Sequence, residues 1–370
     1  MNVALVHDYL NQRGGAERVF RHVADLYPAA PVYTSLFDPR VTSDLVDPAR
    51  VRTSALNRLP GTTAYFRFLA PLYPAVFERF DLSPYDLIVS TTSSWAKGVR
   101  FRPEAIHVCY IHTVSRFAFA YDEYVGAFPA LGRANGVRAR LARPVVRRLV
   151  DWDREAAQRP TAFIANSRNV AERVRRYYGR DAFVAHCPVD VDRFSVGKGE
   201  GDYLLVVSRL LGYKRVDLAI EGARRAGMRL LVVGAGPAEA ELKAAAAGSR
   251  TEFLGAVSDE ALRSLMGAAR AVILPGEEDY GLVPLEANAS GRPAIAYGKG
   301  GALETIRSGV TGEHFAEATP ESLAGLLRTF DPDRYDPAVL RAHAESFGPE
   351  PFKRSFAALV DDIALRGARP

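Results

Sequence analysis

The sequence predicts an α/β protein of two doubly wound parallel-sheet halves, and three observations carry that expectation. Short apolar runs alternate with helical patterns along the whole chain, as sheets covered on both faces require. The alternation restarts after a stretch of glycine and charge, Ser195-Val196-Gly197-Lys198-Gly199-Glu200-Gly201, which reads as an interdomain linker. A length of 370 residues allows two separate cores.

The first winding opens with Val3-Ala4-Leu5-Val6 as a buried strand. A loop from Asn11 to Gly15 follows, then a helix from Ala16 to Leu26 with Val19, Phe20, Val23 and Leu26 on one side. Val32-Tyr33-Thr34, Asp86-Leu87-Ile88-Val89, His107-Val108-Cys109-Tyr110 and Phe163-Ile164-Ala165 read as further strands, and Ser167 as the N-cap of a helix reaching Tyr178. Ala182-Phe183-Val184-Ala185 leads into Pro188. Tyr65, Phe66, Phe68, Leu69, Leu72, Tyr73, Val76 and Phe77 form an aromatic stripe at helical spacing, which suits either a core face or a membrane-facing surface. The second winding runs through Tyr203-Leu204-Leu205-Val206-Val207, Leu230-Leu231-Val232-Val233, Phe253-Leu254, Ala271-Val272-Ile273-Leu274 and Ala294-Ile295-Ala296. In the tail, Phe352, Phe356, Leu359, Val360 and Ile363 recur at helical spacing, so an amphipathic helix is expected.

Composition narrows the function classes. Hydrophobic residues make up 48% and charged ones 25%, ordinary for a folded globular chain. No apolar run approaches the roughly 20 residues that span a bilayer, and Met1-Asn2-Val3 leads straight into a strand, so a cytoplasmic enzyme is expected. Cys109 and Cys187 are too few for a disulfide framework or a four-ligand zinc site. The net charge of +5 is unevenly spread: residues 1–200 hold 28 Lys and Arg against 20 Asp and Glu, and the remainder 20 against 23. Arg133, Arg138, Arg140, Arg143, Arg147 and Arg148 fall within sixteen residues without an acid, interleaved with apolar side chains. That cluster reads either as a surface for anionic lipid or a phosphorylated acceptor, or as a solvated helix face; no nucleic-acid-binding module surrounds it.

In open α/β sheets the loops beyond the strands' carboxyl ends hold the chemistry. After Leu274, Pro275 ends a strand, and Pro284 suits the first turn of the next helix, which puts Glu278 in the loop and Glu286 at the helix opening. Paired carboxylates there can accept from sugar hydroxyls while helix N-terminal N–H groups suit phosphates. In isolation the same pair also reads as a solvated loop charge and a helix-dipole acid. Ser208-Arg209 follows the first strand of the second half, with Lys214 five residues on. Gly14-Gly15 lets a backbone approach a phosphate or sugar, or makes a plain tight turn. Gly234-Ala235-Gly236-Pro237 has Glu239 where a dinucleotide fingerprint needs a small residue, so NAD is not expected.

These segments, with Ser290-Gly291-Arg292-Pro293, Gly300-Gly301-Ala302-Leu303-Glu304-Thr305, Gly14-Gly15-Ala16-Glu17, His112-Thr113, Asn166-Ser167-Arg168 and Pro188-Val189-Asp190-Val191-Asp192-Arg193-Phe194, closely resemble the retaining glycosyltransferases of family 4 nearly end to end. The resemblance implies the GT-B fold: two Rossmann-like domains facing a cleft, here 1–195 and 196–346, with a C-terminal helix within 347–370 crossing back to the first. It implies that Arg209 and Lys214 neutralise a departing diphosphate, a task that otherwise falls to a metal. It further implies that Glu278 and the backbone of Tyr280, Gly281 and Leu282 hold the donor sugar or phosphates, that Glu286 binds the ribose, and that His112 binds the sugar and orients the acceptor. Arg116 is assigned to the acceptor or the developing charge, and Gly14 and Gly15 to the donor. Val257 is placed with the donor set, and Asp259 either accepts from a guanine edge or serves its helix. The family form has Gly-Phe where this chain has Asp279-Tyr280, which leaves that loop's contacts open.

The expected reaction is transfer of a hexose with retention by front-face attack, onto a glycan or lipid-linked acceptor. The loop Glu277-Glu278-Asp279-Tyr280-Gly281, with Tyr297-Gly298-Lys299-Gly300-Gly301, looks most like the mannosyltransferase branch of polysaccharide and O-antigen assembly, so GDP-mannose is the leading donor and a UDP-sugar the alternative. A catalytically silent sugar-nucleotide binder and a GT-B epimerase are the rivals. Asp151-Trp152-Asp153, Asp190-Val191-Asp192 and Asp331-Pro332-Asp333 fit a metal-binding Asp-x-Asp pattern, but the resemblance implies no metal and no cofactor beyond the donor. Peripheral contact with an anionic membrane at its inner face is a further expectation.

Overall fold

The computed structural model describes residues 1–63, 65–115 and 137–366. They form two compact units, one taking in the residues up to 187 together with 350–366, the other 188–349. In the first unit β1 (Val3–His7), β2 (Val32–Thr34), β3 (Val51–Thr53), β4 (Leu87–Thr92), β5 (Ile106–Ile111), β6 (Ala162–Ala165) and β7 (Ala182–Val184) make one 7-stranded sheet, ordered β3-β2-β1-β4-β5-β6-β7. The second holds β8 (Tyr203–Val207), β9 (Arg229–Val233), β10 (Thr251–Gly255), β11 (Ala271–Leu274), β12 (Ala294–Tyr297) and β13 (Gly312–Phe315), ordered β10-β9-β8-β11-β12-β13. Every pairing is parallel. Each sheet therefore reverses its winding once, between β1 and β4 and between β8 and β11. This is the architecture of two Rossmann-like α/β domains that the apolar runs predict.

Burial on both faces explains those runs. All six residues of β4 and all four of β11 are buried, with no polar-out alternation. The C-terminal helix Pro349–Arg366 belongs to the first unit, where Phe352 and Phe356 pack edge-on against Tyr110 with ring centroids 5.7 and 5.6 Å away. Lys353 reaches Asp25 at 3.3 Å on the same unit. Among the described residues no helix is long and apolar enough to cross a membrane.

Local details differ from the sequence reading. The edge strands β3 and β13 carry too few apolar residues to signal themselves, because an edge strand needs covering on fewer sides. Proline divides the aromatic stripe into a 3-10 helix, Phe66–Leu72, and a short α-helix, Tyr73–Glu78. Phe66, Tyr73 and Phe77 turn inward while Tyr65, Phe68 and Leu72 stay exposed, so the stripe is part core and part surface. The glycine-rich stretch 195–201 is fastened to the second unit, since the Gly197 N–H donates to Ser290 O (3.0 Å) and the Gly199 N–H to Gly267 O (3.1 Å). A Cβ on Gly197 would lie 2.2 Å from Gly267 O, so close backbone approach selects glycine there.

The first unit also buries an ion pair. Lys97 Nζ lies 2.6 Å from Asp153 Oδ1, with side chains 1% and 0% exposed. Ser115 Oγ and Tyr178 Oη donate to the same carboxylate at 2.5 and 2.8 Å. Burial, then the adjoining carboxylate, hold the Tyr178 hydroxyl well above its usual pKa. Asp151-Trp152-Asp153 thus sits in the last turns of helix Val137–Ala156. Removing one partner of such a pair strands the other charge, so Asp153→Ala is expected to cost about 3–5 kcal/mol in urea unfolding, and the double change Lys97→Met with Asp153→Leu to restore most of it. A single variant as stable as the parent would refute this account.

Candidate functional site

The second unit brings most of the expected donor residues to its reversal point. After β8, the Leu210 N–H donates to Ala235 O (3.0 Å) and the Ala238 N–H returns to Leu210 O (3.1 Å). Gly234, at φ 127°, runs so close to Ser208 that a Cβ would meet its carbonyl oxygen at 1.9 Å. The Gly-x-Gly pair thus packs one loop against its neighbour in a strand-to-helix turn. Arg209 is exposed, with Nη2 3.4 Å from Tyr213 Oη. The 3-10 turn Gly212–Lys214 ends at Arg215, whose φ of 53° is left-handed, a conformation that costs a non-glycine residue energy.

Lys214 forms an ion pair with Glu278 from the loop after β11, and both side chains are largely buried. The two loops touch through backbone as well: a Cβ on Gly276 would stand 2.8 Å from Tyr213 O. The Glu278 carbonyl accepts from the Gly301 N–H at 2.9 Å, anchoring the loop to the segment after β12. Tyr280 is buried, and Gly281, at φ 86°, precedes helix Leu282–Ala289. Pro284 lies in its first turn; Glu286 is the fifth residue, one turn deeper than the helix opening, and half-buried. Val257 and Asp259 lie apart, after β10, which is separated from β8 by β9. Asp259 begins helix Asp259–Ala268 behind its Ser258 N-cap and pairs with Arg193 at 2.9 Å, so it has a structural role in place.

In the first unit His112 follows β5 and is buried, its backbone carbonyl accepting from Asn166 Nδ2 at 3.0 Å. Its Nε2 has no hydrogen-bond partner, and burial pushes its pKa down to about 3, so the imidazole is neutral. The Gly14 N–H donates to Glu17 Oε2 (2.7 Å), a capping-box contact that occupies the amide expected to approach a phosphate. Burial raises the Glu17 carboxyl pKa. Gly15 is exposed and is the first residue of the helix Gly15–Leu26, so the helix begins one residue before Ala16. Arg116 lies outside the described residues, as do Arg133 and the side chains of Arg138 and Arg140; Arg143, Arg147 and Arg148 are exposed.

Sequence reasoning passed over two residues at the reversal point of the first sheet. Asp8 is buried and accepts five hydrogen bonds from the end of β4 and the turn that follows: Thr92 Oγ1 (2.8 Å) and the N–H groups of Ser93 (2.8 Å), Ser94 (3.0 Å), Trp95 (3.0 Å) and Ala96 (2.7 Å). Beside it His7 Nδ1 lies 2.5 Å from Thr91 Oγ1, the ring stacks on Phe20 at 4.6 Å, and Nε2 is buried without a partner. Burial lowers the His7 pKa to about 3 as well. The signal was a His-Asp pair at the carboxyl end of the first strand, where a doubly wound sheet places its ligands.

The Asp-x-Asp segments are otherwise engaged. Asp153 holds Lys97, Asp192 lies at the surface 3.7 Å from Arg341, and Asp331 caps the 3-10 turn Pro332–Arg334. Among the described residues no three His, Cys, Asp or Glu side chains converge as a metal site. Both cysteines are buried, and burial pushes each thiol up to about 12.

Comparison with known proteins matches both halves. Residues 13–193 match the Glycosyltransferase Family 4 model and residues 189–346 the Glycosyl transferases group 1 model. The D-inositol 3-phosphate glycosyltransferase of Geodermatophilus obscurus is 29% identical over 219 residues, 50% of this chain and 49% of that one. A glycogen synthase of Pseudomonas aeruginosa is 32% identical over 197 residues, 48% of this chain and 38% of that one. The matched regions thus span half or less of these relatives. Anabaena Alr3699/HepE, crystallised with UDP, superposes with a TM-score of 0.68 over 98% of this chain and 100% of that one at 19% identity, which shows a shared fold; the same protein has also been crystallised with UDP-glucose. With two matched regions laid end to end over residues 13–346, the chain has the two-domain fold of the GT-B glycosyltransferases and is similar in sequence to those of family 4 and group 1.

Proposed function

We propose that this protein transfers a hexose from a nucleotide sugar to a hydroxyl of a glycan or lipid-linked acceptor, in the cytoplasm and with retention of anomeric configuration. The observation that carries the reading is the Lys214–Glu278 pair, which brings a cation and a carboxylate together where the second sheet reverses. A diphosphate gives Lys214 and the exposed Arg209 an anion to neutralise, and Glu278 can accept from sugar hydroxyls. The new bond forms between the acceptor oxygen and the anomeric carbon on the face that the diphosphate leaves. The bond from that carbon to the phosphate oxygen breaks with its electron pair on the oxygen, which takes the acceptor's proton. No protein nucleophile enters this scheme.

In this reading the N–H groups of Tyr280, Gly281 and Leu282 lie along the donor, Glu286 accepts from the ribose, and Gly15 and the neutral His112 serve the sugar. The cationic pair takes the role of a metal, supported by the other engagements of the Asp-x-Asp segments. GDP-mannose is the favoured donor on the character of the loop 277–281. A UDP-sugar is the second reading, favoured by the UDP and UDP-glucose bound to the fold relative HepE.

A panel of GDP- and UDP-sugars in EDTA, scored by slow donor hydrolysis, is expected to select GDP-mannose. Selection of a UDP-sugar establishes the second reading, loss of activity on chelation overturns metal independence, and binding without turnover marks a silent binder. Lys214→Met is expected to lower kcat about 100-fold, and Glu278→Gln to weaken donor use by roughly tenfold; full activity in both would remove the site assignment. Because burial lowers the His112 pKa from 6.5 to about 3, its protonated form appears only as pH falls towards that value. The profile of kcat/KM around neutrality should therefore keep its shape in His112→Asn, and an inflection near 6.5 that disappears in this variant would reassign His112 to proton transfer.

A further inference from the structure

Two stretches of the sequence lack any acidic residue, 48–77 and 124–150, and of the second the structure describes 137–150, in the first unit. They meet in one core cluster: Tyr73 and Phe77 from the first pack with Leu149 from the second, and Leu56, Leu69, Ala70 and Val76 lie against the same cluster. Both stretches expose large apolar side chains, Leu59 (55% exposed), Tyr65 (65%), Phe68 (72%) and Leu72 (48%) in the first and Val145 (44%) in the second. Arg58 and Arg67 are exposed in the first stretch, and Arg143, Arg147 and Arg148 in the second. Exposed apolar groups of this size within Leu59–Leu72, a run whose only charged residue is Arg67, are uncommon on a soluble surface.

The same face adjoins the carboxyl end of the first sheet. Asn11 Nδ2 donates to Thr63 O at 2.9 Å, and the Tyr9 ring packs on Phe66 with centroids 4.8 Å apart, so the loop after β1 is tied to the exposed turn. Pairing of this face with a second copy would set Arg58 and Arg67 against their counterparts with no carboxylate in residues 48–77 to offset them, which is repulsive. An anionic bilayer meets both features, since the rings and Leu side chains enter the headgroup boundary while the guanidinium groups stay at the phosphates.

We infer that this face seats the first unit on an anionic membrane. The inference goes beyond the transferase reading and does not depend on it, because vesicle binding is read without turnover. The test is co-sedimentation of the full chain with phosphatidylcholine vesicles, with and without phosphatidylglycerol, at low and high salt. Binding is expected to need phosphatidylglycerol and to weaken with salt. Arg58→Glu with Arg67→Glu should lower affinity by at least about tenfold, while Arg58→Lys with Arg67→Lys should retain it. Tyr65→Ser, Phe68→Ser and Leu72→Ser together should lower affinity by a similar factor, about tenfold, without lowering the melting temperature, since these side chains are exposed. Absence of binding, equal binding to neutral vesicles, or undiminished binding by the triple serine variant would overturn the inference. So would a concentration-dependent dimer that the triple variant abolishes, which would assign the face to a second copy.

Discussion

The reversal of strand order in each parallel sheet is the constraint on which the rest depends. A right-handed crossover can lay each new strand on only one side of its predecessor, so a sheet that grows first one way and then the other leaves two adjacent strands whose following loops diverge. In this protein those strands are β1 with β4 and β8 with β11. Each gap is bridged by a carboxylate, Asp8 in the first sheet and Glu278 in the second.

The two bridges differ in what they leave available. Asp8 spends both oxygens on five donors from a single segment, so its charge is consumed in fastening that segment to β1. Glu278 meets a flexible ammonium from the neighbouring loop, an arrangement in which both partners can take further hydrogen bonds. Loops held by close backbone approaches at Gly276 and Gly301 surround that pair, and such support is what electrostatic preorganisation requires. The Lys97–Asp153 pair is a third case, sealed within the first unit and joined to Ser115, three residues beyond His112. A buried network of that kind limits how the backbone after β5 can move.

Much of the architecture was legible because parallel strands buried on both faces carry unbroken apolar runs, as Leu87-Ile88-Val89 in β4 and all of β11 do. The edge strands β3 and β13 were not, since half-covered strands tolerate Arg52, Thr53, Glu313 and His314. In the aromatic stripe, spacing alone could not tell inward from outward residues, because prolines changed the helix type midway and with it the direction of each side chain. Among the candidate site residues, loop membership of Lys214 and Glu278 could be read from strand ends, whereas their contact could not. Asp8 was overlooked for a related reason: four of its five donors are backbone groups, which carry no signature in side-chain identity.

By itself, then, the order of residues determined the α/β class, the two windings and which loops follow which strands, because these follow from hydrophobic period, turn chemistry and chain direction. Only the tertiary structure decided that Lys214 lies on Glu278, that Asp8 ties two loops together and that Gly14 offers its amide to Glu17. Contacts between loops depend on how sheets twist and pack across long sequence separations, and a linear pattern contains no term for that.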